Sequence, residues 1–123
     1  MTSLPCLRVF MSSDGESHFG TSTIELSSTD FAPPAPPLEV SEVREARHGF
    51  LRAPVGWFGD WHPAPARQVM CLLSGTLEVK VSDGATHQLS PGTIVVLEDT
   101  AGRGHSTRVT SDEPAVMAFA QMT

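Results

Sequence analysis

The chain has 123 residues, 40% of them hydrophobic and 18% charged, which is the composition of one folded domain with a core of its own. Eight Lys plus Arg against fourteen Asp plus Glu give a formal charge of −6, and no basic run exists, so neither a nucleic acid nor an anionic membrane surface is an expected partner. No stretch approaches the roughly 20 apolar residues of a membrane helix, the first residues lack a basic-then-apolar leader, and the expected location is the cytoplasm.

In chain order, Leu7 to Phe10 and Ser22 to Leu26 are candidate edge strands. Phe31-Ala32-Pro33-Pro34-Ala35-Pro36-Pro37 follows, where four prolines exclude both helix and central strand. It reads as an extended strap over the outside of the domain. Leu38 to Gly49, with Val-Ser-Glu-Val-Arg-Glu-Ala-Arg, is the best helix candidate of the chain. From Phe50 onward the signals are β. Arg67 to Leu73 is a strand closed by Ser74-Gly75, and Thr76 to Val81 is the next, closed by Asp83-Gly84, a strong hairpin signal. Thr86 to Leu89, the turn Ser90-Pro91-Gly92, and Thr93 to Leu97 come after it. His105 to Val109 and Ala115 to Ala120 complete the series. Ten Gly and ten Pro punctuate these short strands, which is the pattern of an all-β sandwich or barrel. One domain over 1–123 is expected, with strands and strap in 1–49 and a barrel core in 50–123.

Of the two cysteines, Cys71 lies in the apolar run Val69 to Leu73 and reads as a buried free thiol. Cys6 has no close partner in the sequence, and two Cys do not make a secreted disulfide framework. There is no P-loop, dinucleotide glycine motif, nucleophile elbow or zinc-type Cys/His spacing.

The informative segment is Gly56-Trp57-Phe58-Gly59-Asp60-Trp61-His62-Pro63-Ala64-Pro65-Ala66-Arg67-Gln68, followed by a strand and Gly75. It resembles the first signature of the cupin superfamily: Gly, five residues, His, one residue, His, three or four residues, Glu, six residues, Gly. Gly56, His62 and Gly75 match, while Ala64 stands for the second His and Gln68 for the Glu. The second signature is Gly, five residues, Pro, one residue, Gly, two residues, His, three residues, Asn. Gly92 and the spacing from Gly102 to His105 match it. Glu98 replaces the Pro, Val109 replaces the Asn, and the loop is two residues longer. The resemblance covers about half the chain. It implies a cupin jelly-roll β-barrel of two antiparallel sheets with at most one short helix, and a ligand-sized cavity inside.

In metal cupins three His and one Glu converge on Fe, Mn, Ni, Cu or Zn. Here the resemblance leaves only His62, Gln68 and His105 as candidate ligands. Two imidazoles and a neutral amide match a divalent cation poorly, so the expectation is a site without a metal. Metal-free chemistry rests on His62 and His105 with Asp60. Two residues apart on a strand, Asp60 and His62 share a face, and a carboxylate beside an imidazole makes a general base; metal-independent cupins, sugar epimerases among them, use such a pair. Asp60 can equally cap the turn Phe58-Gly59-Asp60.

If Gln68 faces the cavity, alternation brings Met70 and Leu72 with it and turns Arg67 away. Trp57, Phe58 and Trp61 flank the site and can stack on an apolar ligand or pack in a core. Arg103, shortly before His105, can attract an anion at the mouth or stand as a solvated loop arginine. His18, His48 and His87 lie outside both signatures.

Three functions fit these residues. The first is an enzyme that takes a small, largely apolar organic molecule, with isomerisation, cyclisation, dehydration or oxygenation all compatible. The second is a binding or sensing module without turnover. The third is a metal-dependent dioxygenase with a reduced ligand set. Apolar residues on both faces of the strands also predict a homodimer.

Overall fold

A computed structural model describes residues 2–123, and its elements are all strands. In chain order they are β1 (Thr2–Met11), β2 (Ser17–Thr29), β3 (Leu38–Val40), β4 (Ala46–Ala53), β5 (Phe58–His62), β6 (Gln68–Ser74), β7 (Leu77–Val81), β8 (Thr86–Leu89), β9 (Ile94–Leu97), β10 (His105–Val109) and β11 (Ala115–Met122). They form a seven-stranded sheet in the order β3-β2-β1-β9-β6-β11-β4 and a four-stranded sheet in the order β5-β10-β7-β8. The all-β jelly-roll expectation holds, with one departure: β1 pairs parallel to β9, while every other pairing is antiparallel. These two strands are far apart in sequence, so no hairpin dictates their relative direction.

Alternation sorts the large sheet into two faces. On the inner face the register aligns Met117 with Leu72, Phe119 with Met70 and Val95, and Gln121 with Gln68, Leu97 and Val9. The small sheet answers with Leu77, Val79, Val81, Leu89 and Val109, all buried. Together these residues make one apolar core between the sheets. The outer face of the large sheet carries a second row, Phe50, Ala118, Cys71 and Ile94 in register, with Phe50 exposed.

The Asp83-Gly84 hairpin forms as expected between β7 and β8. Gly84 takes φ of +97°, a region open to glycine at little cost, and the Asp83 carboxylate accepts the Ala85 amide at 2.8 Å. The proline run does not strap the barrel. It is the exposed loop joining β2 to its antiparallel partner β3, with a turn closed by the Ala35 amide on the Ala32 carbonyl at 3.0 Å. Leu38 to Gly49 is not a helix either: β3 and the start of β4 occupy it, because each finds a strand to pair with. Tertiary pairing outweighs the weak local helix preference of this segment. The expected edge strands at Leu7 to Phe10 and Ser22 to Leu26 are longer than their apolar centres, since β1 and β2 zip together from Thr2↔Leu26 to Met11↔Ser17. Only β2 lies near an edge; β1 is inside the sheet, between β2 and β9. Both cysteines are free, but Cys6 is the buried one and Cys71, on the outer face, is only half-buried.

One cross-strand knot holds β1 to the entry of β6. Glu98 accepts hydrogen bonds from Arg8 and from Arg67, the latter at 2.9 Å. Burial alone pushes the Glu98 carboxyl up, but the two guanidinium groups outweigh it and hold the group below the usual glutamate range. A folded-state value below the unfolded one stabilises the protein above the ordinary glutamate range, and that contribution is lost as pH falls through the folded value. Glu98→Gln should therefore flatten the acid limb of the stability profile, measured by urea denaturation across that range. An unchanged acid limb would show that the knot contributes nothing.

Candidate functional site

The core between the sheets holds a cavity of about 350 Å³. Its wall is apolar, built from Leu51, Met70, Val79, Val95, Leu97 and Met117 among others, with Trp57 also lining it. The polar groups on the wall are His62, His105, Gln68, Thr107 and Arg52.

His62 and His105 meet because β5 and β10 are neighbours and the two residues are register partners. Their ring centroids lie 5.0 Å apart. Gly104 makes this approach possible: its φ is +72°, and a Cβ there would collide with the His62 carbonyl. Gln68 comes from β6 in the opposite sheet, so His62 and Gln68 are not on neighbouring strands, as the signature spacing suggested. They reach one cavity from two sides, and Gln68 is further held by the Gln121 side-chain amide, which donates to its Oε1 at 3.3 Å.

Each histidine is tied at Nδ1. His62 Nδ1 donates to the Asp60 main-chain carbonyl at 2.6 Å. His105 Nδ1 lies 2.6 Å from Asp99 Oδ2, with both side chains buried and Asp99 0% exposed. Tying Nδ1 leaves Nε2 as the ring nitrogen free for a ligand in each case. Asp99 is fixed in turn by its own carbonyl, which accepts the Ala64 amide at 2.9 Å. Its second oxygen, Oδ1, is buried without a hydrogen-bond partner among the described residues.

Asp60 does not place its carboxylate beside His62. Between His105↔His62 and Thr107↔Gly59 the β5–β10 register slips by one residue, and this bulge at Asp60-Trp61 breaks the alternation on which a shared face depended. The Asp60 carboxylate accepts its neighbour's amide, Trp61 N–H, at 2.8 Å and stays exposed. The carboxylate that partners a site imidazole is Asp99. The available signal was an aspartate in a long loop directly after the apolar strand Ile94–Leu97 and six residues before His105.

Met70 lines the cavity as alternation predicted. Leu72 is buried beyond it in the core, and Phe58 and Trp61 are exposed and off the cavity wall. Arg103 is 3.0 Å from Glu16 and points away from the wall. The loop geometry explains this: Gly102 and Arg103 dock on the β1–β2 turn, where the Arg103 amide donates to the Gly15 carbonyl at 3.0 Å. Of the other histidines, His18 bridges Ser12 and Asp83, and His87 packs edge-on against Phe19. Neither lines the cavity, nor does His48.

The donor set does not fit the divalent metal that the family signatures imply. No group of three or more His, Cys, Asp or Glu converges among the described residues. Ala64 stands where another ligand is needed, and the amide oxygen of Gln68 is already an acceptor for Gln121. A buried carboxylate behind an imidazole also backs metal ligands elsewhere, but two imidazoles and one amide supply no negative charge to the ion itself.

In structure the chain is similar to the cupin domain of Cnp3 from Schizosaccharomyces pombe, with a TM-score of 0.52 and 14% identity over 100% of this chain and 85% of that one. It is also similar to a cupin domain from Bordetella pertussis Tohama I, with a TM-score of 0.51 and 20% identity over 85% of this chain and 99% of that one. No family model and no curated protein matches the sequence. The fold is that of a cupin. Protein purified without chelators should carry far less than stoichiometric transition metal by elemental analysis. Stoichiometric Fe, Mn, Ni, Cu or Zn that disappears when His62 and His105 are both replaced by Ala would overturn the donor-set argument.

Proposed function

We propose that this cupin-fold chain is an enzyme that takes a small, largely apolar organic molecule into its barrel and moves a proton on it with His62 and His105. The observation that carries this reading is the pair of imidazoles, each anchored at Nδ1, with ring centroids 5.0 Å apart on a largely apolar cavity. At about 350 Å³ the cavity lies toward the lower end of the ~300–1,000 Å³ spanned by small-molecule sites. Apolar walls provide affinity and exclude water, while a few placed polar groups orient the ligand. Gln68 and Thr107 serve that second purpose here, and Trp57 offers a flat surface beside them.

Turnover is favoured over passive binding by the buried His105–Asp99 pair. Holding an ionisable pair in an apolar core is costly compared with filling the same volume by hydrocarbon, and a site made only for shape has no use for it. The test starts from a fragment screen by ligand-observed NMR against the intact protein, followed by product analysis for each hit. His62→Ala and His105→Ala should each reduce turnover of such a hit by about 10²-fold or more, the scale of a lost acid or base. If both variants turn over the hit as the native protein does, the assignment is wrong. Unchanged affinity with no turnover by any of the three proteins would make the chain a binding module.

The same reading pairs the chain with a second copy, because the row Phe50, Ala118, Cys71 and Ile94 presents hydrocarbon on the outer face of the large sheet. Light scattering at micromolar concentration should give twice the 13.2 kDa of one chain. A single-chain mass rejects the dimer.

A further inference from the structure

The wall of the cavity differs from end to end. Leu77, Val79 and Leu89 make a buried end of hydrocarbon. The wall residues open to solvent, Leu51, Trp57, His62 and Pro65 among them, come from β4 and from the stretch between β4 and β6. β4 and β5 are the outermost strands of their sheets, paired with β11 and β10 and not with each other. The mouth therefore lies in the gap between them. Trp57, just before β5, is 40% exposed and also lines the cavity, so its indole is the partition between interior and solvent at that gap. Its main chain is pinned on both sides: the Trp57 amide donates to the Pro54 carbonyl at 3.0 Å, and the Trp57 carbonyl accepts the Val109 amide at 2.9 Å. The indole lies against Gly59, where a Cβ would collide with Cη2 and come within 3.1 Å of Cζ2 and Cζ3. Gly59 is the register partner of Thr107, itself a wall residue. The space left by a side chain at Gly59 is thus the seat of the indole's six-membered ring.

We propose that Trp57 is the specificity-determining residue of this cavity and that the ligand it selects carries a flat, unsaturated ring. This rests on the reading that the cavity takes a small, largely apolar organic molecule, and it narrows the class. Among the described residues Trp57 is the one aromatic carbocycle on the wall. The planar side chains of the wall, Trp57, His62 and His105, come from β5, the approach to β5, and β10. The large sheet meets them with Leu51, Met70, Leu97 and Met117. A slot with planar groups on one side and aliphatic chains on the other accepts a flat ring, whose two faces can lie against both. A puckered, saturated ring of the same size presents axial hydrogens and cannot lie flush on the indole. Offset or edge-on aromatic contacts raise affinity roughly two- to tenfold beyond the area they bury. The thioethers of Met70 and Met117 favour an aromatic ring over a saturated one in the same way. Gly59 is off the wall and acts through the indole as a positioning residue.

Benzyl alcohol and cyclohexylmethanol test this, since they differ in the flatness of the ring and the saturated one is the more hydrophobic. The chain has two Trp, and Trp61 is exposed and off the wall. Trp61→Phe therefore leaves a single indole N–H resonance to follow in proton–nitrogen correlation spectra. In that protein benzyl alcohol should bind about fivefold more tightly than cyclohexylmethanol, and its titration should shift the Trp57 N–H. Trp57→Leu should bind both alcohols and lose the preference. Gly59→Ala should move the Trp57 N–H resonance with no probe present and reduce the preference, because the added methyl takes the seat of the ring. Equal affinities, tighter binding of the saturated alcohol, or binding of neither overturns the proposal, as does a preference that survives in Trp57→Leu. If Trp57→Leu fails to fold, Gly59→Ala decides, and an unchanged preference there overturns the proposal. These outcomes are separate from turnover. His62 and His105 could be essential in a protein that does not distinguish the two rings, which would sink the flat-ring class and leave the proton-transfer reading standing.

Discussion

The constraint on which the rest of the molecule depends is the crossing from β9 in the large sheet to β10 in the small one. Where a chain that passes between two sheets is buried, as at Asp99 and Gly104, its main-chain polar groups need partners within the protein. It does so residue by residue. The Glu98 amide donates to the Val9 carbonyl, the Asp99 carbonyl accepts from Ala64, Arg103 donates to Gly15, and the Gly104 carbonyl accepts the buried Ser17 hydroxyl at 2.6 Å. The crossing is thereby fastened to β1, to the segment before β6 and to the β1–β2 turn. It carries Asp99 into the interior and delivers His105 opposite His62. Fold and site share the same bonds, so neither can shift without the other.

That arrangement explains how a cavity survives in a small domain. Interiors are normally packed to crystal density, and an unfilled space forgoes contacts that filling would supply. Here Val9, Leu72, Val81 and Val109 are buried in the core off the cavity wall, while Leu77 and Leu89 are buried and line it. The His62–His105 side of the cavity is framed by polar and glycine-dependent contacts: the Gly104 approach, the β5 bulge and the Asp99 anchor. Directional bonds hold the shape where hydrocarbon does not.

Much of the framework was legible in the sequence because its signals are local. Asp83-Gly84 announces a hairpin by turn chemistry, and the strands Thr86 to Leu89 and His105 to Val109 emerge with their observed limits. The alternation that sends Gln68 and Met70 inward and Arg67 outward is likewise a property of consecutive residues. What escaped was non-local. Leu38 to Gly49 has no β signal of its own and becomes strand only because β2 and β11 offer edges. The β5 bulge depends on how β10 lies against it, so counting by two put the Asp60 carboxylate on the wrong side. Asp99 meets His105 through a loop whose course is set by three distant segments. The cupin signature supplied the position of each histidine but not what stands behind it.

The parallel pairing of β1 with β9 has a consequence for how the chain reaches this structure. Leu7 pairs with Val95, so β1 cannot be seated until the chain has been synthesised through β9. The β1–β2 hairpin closes early from neighbouring residues, yet a lone hairpin is at best marginally stable in water. It therefore waits, one edge open, for β9 to be assembled between β6 and itself. Pairings of such long range are slow to form, and an unpaired edge is a template for the wrong partner in the meantime. A strand made well before its partner is docked late, and the time between is when this barrel is most exposed to aggregation.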